Sequence, residues 1–167
     1  MLLFLTAFFA PTISAKESLK NHPYAGVQIP YAKSELGGCS YQYSPVDFCD
    51  DAHVSAIKNA LQTERANYFG NYIILRYSER PEYYQKSILI IDVNTGYAYP
   101  LPIDAYSGFI KGKGVAVSDG VVKYSISDDR ICISGAILVY KSIQQGSFCF
   151  DFDGKKFGGF HTEYMFP

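Results

Sequence analysis

One stretch of the chain carries a helical period. Val54, Ile57 and Leu61 fall at i, i+3 and i+7, with Ala56 and Ala60 between them, a spacing that gathers apolar side chains on one helix face. Asp50 or Asp51 can act as N-cap, and the chain leaves through Thr63-Glu64-Arg65, so a helix is expected over 50–66. His53 falls in its first turn, where a solvent-facing position is expected.

Beyond the helix the pattern changes to that of strands. Tyr72–Tyr77 is aromatic and β-branched, and Ser78-Glu79-Arg80-Pro81-Glu82 interrupts it. Ser87–Val93 is apolar at both parities, which predicts a central strand covered on both faces. Asn94-Thr95-Gly96 reads as a turn into a short strand over 97–101, stopped by Pro100 and Pro102. Further strand-like runs cover 114–118, 121–125, 130–139, 147–152 and 155–160, with Asp153-Gly154 as a hairpin turn before the last. Residues 67–167 therefore read as an antiparallel sheet, and the class as α+β with one amphipathic helix packed on that sheet. Residues 16–49 are broken by Pro23, Pro30, Gly37-Gly38 and Pro45, and are expected to form an irregular arm of the same domain.

The first fifteen residues stand apart. Met1–Ala15 carries no charge, and its apolar run before Pro11 is ten residues long. A bilayer span needs about 20 residues, whereas the apolar region of a signal peptide needs about 7–15. Residues 1–15 are therefore expected to be a signal peptide, although a basic leading region is missing and Ile13 occupies a position that favours small residues. Cleavage after Ala15 would start the mature chain at Lys16, in the periplasm. The four cysteines, Cys39, Cys49, Cys132 and Cys149, allow three pairings and contain no Cys-x-x-Cys unit. Ile131 and Ile133 alternate with Cys132, and Phe148, Phe150 and Phe152 alternate with Cys149. Both cysteines thus lie opposite the apolar face of their strands, which favours Cys132–Cys149 and Cys39–Cys49 as disulfide staples. Disulfides persist in oxidising compartments, in agreement with export.

Composition narrows the remaining classes. Of 167 residues, 48% are apolar and 19% charged, with a formal net charge of −1, which argues for a packed core and against disorder. There is no overall basic field for nucleic acid. No metal site or cofactor is expected. Asp47-Phe48-Cys49-Asp50-Asp51 offers carboxylates for a hard cation, but reads more simply as a helix cap with first-turn acids. Asp151-x-Asp153-Gly154 resembles the start of a calcium loop without its remaining ligands. His22, His53 and His161 have no metal spacing, and there is no Gly-x-Ser-x-Gly elbow to raise a nucleophile. Lys111-Gly112-Lys113-Gly114 lacks the phosphate-loop spacing and reads as a solvated hairpin tip.

Fifteen Tyr and twelve Phe, with no Trp, are the least usual feature. Tyr41, Tyr43, Tyr83, Tyr84, Tyr97, Tyr99, Tyr106, Tyr140 and Tyr164 are expected in loops or at strand ends. Tyrosine gives large contact area at low entropic cost. Arg80, Tyr83 and Tyr84 are the leading candidates for contact with a protein partner, and Lys111 with Lys113 forms a second candidate patch.

The order of segments from Ala66 to Phe160 carries a resemblance. Its parts are Asn67-Tyr68-Phe69-Gly70-Asn71-Tyr72, Ile91-Asp92-Val93-Asn94-Thr95-Gly96 followed by Tyr99 and Pro100, Asp129-Arg130-Ile131-Cys132-Ile133-Ser134-Gly135, and Asp153-Gly154-Lys155-Lys156-Phe157. This order resembles small exported proteobacterial proteins similar to periplasmic immunity proteins, which neutralise envelope-attacking toxins delivered by type VI secretion. A second likeness lies in Ser134-Gly135-Ala136-Ile137 with Tyr140, similar to the inhibitory loop of periplasmic lysozyme inhibitors. Both imply a binding protein, not an enzyme, whose partner is a secreted toxin and whose action is to occlude the toxin's active site. The alternatives are a small periplasmic hydrolase using His161 with an acid, and a structural or assembly accessory of the envelope.

Overall fold

A computed structural model describes residues 26–29, 39–112, 114–162 and 164. In chain order they form helix α1 (Asp51–Thr63) and strands β1 (Tyr72–Arg80), β2 (Gln85–Asp92), β3 (Ala98–Pro100), β4 (Ala105–Ser107) and β5 (Ile110–Lys111). Strands β6 (Val115–Ala116), β7 (Val121–Lys123), β8 (Arg130–Val139), β9 (Ser142–Phe152) and β10 (Phe157–Gly159) follow. A 3-10 turn over Pro81–Tyr83 joins β1 to β2. The expected signal peptide and much of the arm, as well as Lys113, lie outside the described residues.

The expected class holds. Eight strands form an antiparallel sheet in the order β1-β2-β4-β8-β9-β10, with β3 also on β2 and β7 also on β8; β5 and β6 make a separate pair. Helix α1 packs on β1. Strand β2 is central for the reason its composition implies: Ile88, Leu89, Ile90 and Ile91 are all buried, two on each face. Burial of each such side chain contributes about 1.5–3 kcal/mol.

On one face, Ile131, Ile133, Ile137, Phe148, Phe150 and Phe152 form a buried apolar layer. The sheet curls over this layer. Phe152 of β9 meets Tyr99 of β3, with ring centroids 5.2 Å apart, and Tyr72 of β1, at 5.3 Å. Phe160 closes the layer against Phe148 and Phe150. Cys132 and Cys149 are directly opposed in the β8–β9 ladder, on the face away from this layer, and are bonded. Cys39 and Cys49 are also bonded. Both pairings are as expected, Cys132–Cys149 from strand alternation and Cys39–Cys49 as the pair that remains, and their survival belongs to an oxidising environment. No helix among the described residues is long and apolar enough to cross a membrane.

Several expectations need correction. The helix ends at Thr63, and β1 continues through the polar stretch to Arg80, two residues after Ser78. Strand β9 starts at Ser142 and carries Gln144, Gln145 and Gly146 into the ladder opposite β8. Tyr41, Tyr99 and Tyr106 are buried, because their rings fill the core and the Tyr41 hydroxyl donates to the Pro100 carbonyl at 2.5 Å. Ser134-Gly135-Ala136-Ile137 lies inside β8, paired to β9 along its length, so it is no projecting loop.

Candidate functional site

The residues expected to touch a partner fall in two places. Arg80 ends β1 opposite Gln85, after a register shift that begins at Ser78. Pro81, with φ preset for a tight turn, starts the 3-10 turn. Tyr84 closes it in the left-handed region at φ +56°, its amide donating to the Pro81 carbonyl at 3.2 Å. Tyr83 and Tyr84 are 39% and 42% exposed, a large apolar area to leave in water at a hairpin tip. Lys111 is exposed on the separate β5–β6 pair, so the second patch belongs to a different sheet.

Next to the Arg80–Gln85 turn lies a cleft of about 170 Å³. Three layers meet there. The arm contributes Asp47, the start of α1 contributes Asp50 and His53, and the strand ends contribute Glu79, Arg80, Gln85 and Asp104. Asp47 Oδ1 accepts from the amides of Cys39 and Cys49, at 2.8 and 2.9 Å, which ties the first disulfide loop to the helix entrance. Asp50 caps α1, its Oδ1 accepting from the His53 amide at 2.8 Å. Thus Asp47 closes the loop and Asp50 caps the helix.

His53 does not face solvent. It is 3% exposed, and it is held from both sides: Nδ1 is 2.8 Å from Asp50 Oδ1, and Nε2 is 2.9 Å from Glu79 Oε1. Phe48 and Tyr77 enclose the ring, with the Tyr77 centroid 4.1 Å away. Burial alone would push the imidazole pKa down, but the hydrogen bonds that the ring donates to Glu79 and Asp50 outweigh it and hold the pKa above the ordinary value. A ring with both nitrogens against carboxylates is an imidazolium, a donor at each end. The Asp50-x-x-His53 spacing across an N-cap is a signal for half of this arrangement. Glu79 is 26 residues away from His53 and has no local signal.

Asp104 forms the other side of the cleft. It is 1% exposed. Oδ2 accepts from the Tyr140 amide at 2.6 Å, and the Ser44 side chain also donates to the carboxylate. Burial raises its pKa, against the lowering effects of Ser44 and the Tyr140 amide.

A second, more open hollow of about 490 Å³ lies beside the start of β9, lined by Ser142, Gln144, Phe160, His161, Thr162 and Tyr164. His161 is exposed there, and its Nδ1 is 3.3 Å from the Gly159 carbonyl. Asp153, in the last hairpin, accepts from the amides of Lys155 and Lys156, and those bonds hold its carboxyl below the usual range. Its role there is that of a turn. Among the described residues, no group of three or more His, Cys, Asp or Glu side chains is placed to hold a metal ion.

No family model, no curated protein and no solved structure matches the chain.

Proposed function

We propose that this protein is an exported, disulfide-stapled binding protein of the periplasm, an immunity protein that neutralises an envelope-attacking toxin by occluding the toxin's active site. The observation that carries the reading is the Arg80–Tyr84 turn. Two tyrosines stand exposed on a short hairpin tip, one of them in a backbone conformation costly for any residue but glycine, beside a carboxylate-lined cleft. Large aromatic side chains and arginine are the residues that dominate binding energy at protein interfaces. The two disulfides support a rigid scaffold behind the turn, so little ordering entropy is left to lose on association.

Occlusion needs no chemistry from this chain. The turn and cleft present shape and charge, and charge at such a rim acts chiefly on association rate and partner choice. The test is protection. Cells expressing the full chain, or the chain without residues 1–15, are challenged with the product of the adjacent gene directed to the periplasm. The exported form protects and the truncated form does not. Equal survival of the two strains, at either level, overturns the reading.

A further inference from the structure

We infer that the outer edge of β1 over residues 75–78 is a strand-addition site, which takes up an extended, acidic segment of the protein partner as a further strand of the sheet. The inference deepens the binding-protein reading and rests on it for the source of that segment, but not for the chemistry of the edge.

Strand β1 pairs with β2 alone. The turn before it covers only its first residues: Tyr72 exchanges backbone hydrogen bonds with Tyr68, and the Ile74 amide donates to Asn67 Oδ1 at 2.9 Å. The second bond fixes which groups face outward. In a strand every second residue turns its amide and carbonyl to the same side, so Arg76 and Ser78 point theirs away from β2, as Ile74 does. Strand β2 agrees, because the carbonyl of Ile88, which lies opposite Arg76, accepts from the Leu101 amide on the side away from β1. Among the described residues, nothing bonds the outward backbone groups of Arg76 and Ser78, and both residues are exposed. Helix α1 lies against the other face, where Tyr77 and Glu79 touch His53, and leaves this edge open.

An open row of strand donors and acceptors is a template for another strand, and the charges beside it select which one. Arg76 and Arg80 stand along the edge, and among the described residues neither is in an ion pair. The Arg76 guanidinium donates to the Tyr106 hydroxyl, a neutral partner that leaves its charge unmatched. Lys86, across from Ser78, is matched by Asp119 at 2.7 Å. Glu79 does not offset the arginines, because its carboxylate is engaged by His53 on the other face. A second copy of β1 on this edge would add two more unmatched arginines, so the strand rejects its own kind. A segment with Asp or Glu at alternate positions instead gains a cross-strand charge pair with Arg76 while its backbone completes the ladder. The register shift after Ser78 ends the regular edge. An added strand therefore pairs over a short stretch and runs on toward the exposed Tyr83 and Tyr84.

The test uses the whole oxidised protein and amide-resolved NMR titration with a capped peptide that alternates glutamate with threonine or valine over about seven residues, longer than the open edge at ~3.3 Å per residue. Two counterparts are run in parallel, one with lysine for glutamate and one with the same side chains on an N-methylated backbone. The expected result is saturable shifts centred on Arg76 and Ser78, whose amides gain protection from hydrogen exchange. Both counterparts bind at least about tenfold more weakly, the lysine peptide through repulsion and the methylated one through lost backbone donors. Ser78→Pro removes an outward amide and no hydrogen bond to β2, and weakens the acidic peptide about tenfold; should that variant not fold, the methylated peptide decides in the native chain. Absence of saturable binding by the acidic peptide overturns the inference, as does equal binding of either counterpart or unchanged affinity in folded Ser78→Pro. Protection of Arg76 and Ser78 that rises with protein concentration alone also overturns it, because a second copy then holds the edge. None of these outcomes bears on whether the exported chain protects cells, so the two readings fail separately.

Discussion

His53 Nε2 and Glu79 Oε1 lie 2.9 Å apart and join the first turn of α1 to the last residues of β1. The same imidazole reaches Asp50, the residue that caps the helix. One side chain therefore fixes the helix entrance to the base of the turn that carries Tyr83 and Tyr84.

Removing it should cost stability in a pH-dependent way. His53→Ala leaves Glu79 and Asp50 without their counter-charge, a loss of about 3 kcal/mol, at the low end for a broken buried pair because Asp50 is half exposed. The folded imidazole pKa is raised above an unfolded value of about 6.5. The folded state thus holds its proton to higher pH, and the stabilisation is complete below about pH 6.5. It is lost as pH rises through the folded pKa. Thermal melts should show the gap between wild type and His53→Ala narrowing steadily above neutrality. A gap that widens with pH, or stays constant, would refute the imidazolium assignment.

The two disulfides should fail differently. Each closes a short loop, with sequence separations of 10 and 17, and each contributes about 3 kcal/mol in the chain-entropy account. Cys132→Ser/Cys149→Ser removes a cross-link between strands that remain paired along ten positions, so the fold melts earlier but the cleft keeps its shape. Cys39→Ser/Cys49→Ser releases the loop whose amides Asp47 holds. Hydrogen exchange in that variant should rise at the start of α1 and around His53, ahead of global unfolding.

Gly135 is a structural glycine. Its φ is +150°, and a Cβ there would stand 2.1 Å from the Ser107 carbonyl oxygen. That oxygen belongs to β4, which pairs with β8 at Ala136–Leu138. Gly135→Ala must separate the two strands and adopt a strained backbone, at a combined cost of about 3 kcal/mol or more. Denaturant unfolding measures it. A variant within 1 kcal/mol of wild type, on the order of an ordinary surface change, would show that the strands part easily.

Where local chemistry decides, the fold can be read from the residues alone. Cys132 and Cys149 are legible as partners because the two-residue period of a strand assigns each to the face opposite its isoleucines or phenylalanines, and facing strands then oppose them. The helix is legible from Val54, Ile57 and Leu61. Strand β4 is not, since Ala105-Tyr106-Ser107 is too short to show a period and is held by its neighbours β2 and β8. The start of β9 is also hidden, because Gln144 and Gly146 are poor strand formers that the β8 ladder carries. The Arg80–Tyr84 turn is visible as Pro81 between charged residues and paired tyrosines. The cleft beside it is not, because Asp47, Glu79 and Asp104 are brought together only by tertiary packing.

Tyr84 offers the sharpest separation of binding from folding. Its φ of +56° places a bulky side chain in the left-handed region, at a cost of roughly 1–2 kcal/mol that glycine does not bear. The ring is 42% exposed, so burial returns little of that cost in the free protein. Tyr84→Gly should therefore leave the melting temperature unchanged or raise it. If the turn is the contact surface, the same variant loses an interface anchor worth about 2 kcal/mol or more, near thirtyfold in affinity. Tyr83→Ala should weaken binding in the same way, with stability within about 0.5 kcal/mol of wild type. Surface plasmon resonance against the captured partner reads the affinity, and a thermal melt reads the fold. Variants that bind the partner as tightly as wild type would move the contact away from this turn. A marked drop in stability for Tyr84→Gly would instead mean that the ring is retained for the fold, and that its backbone conformation carries no functional meaning.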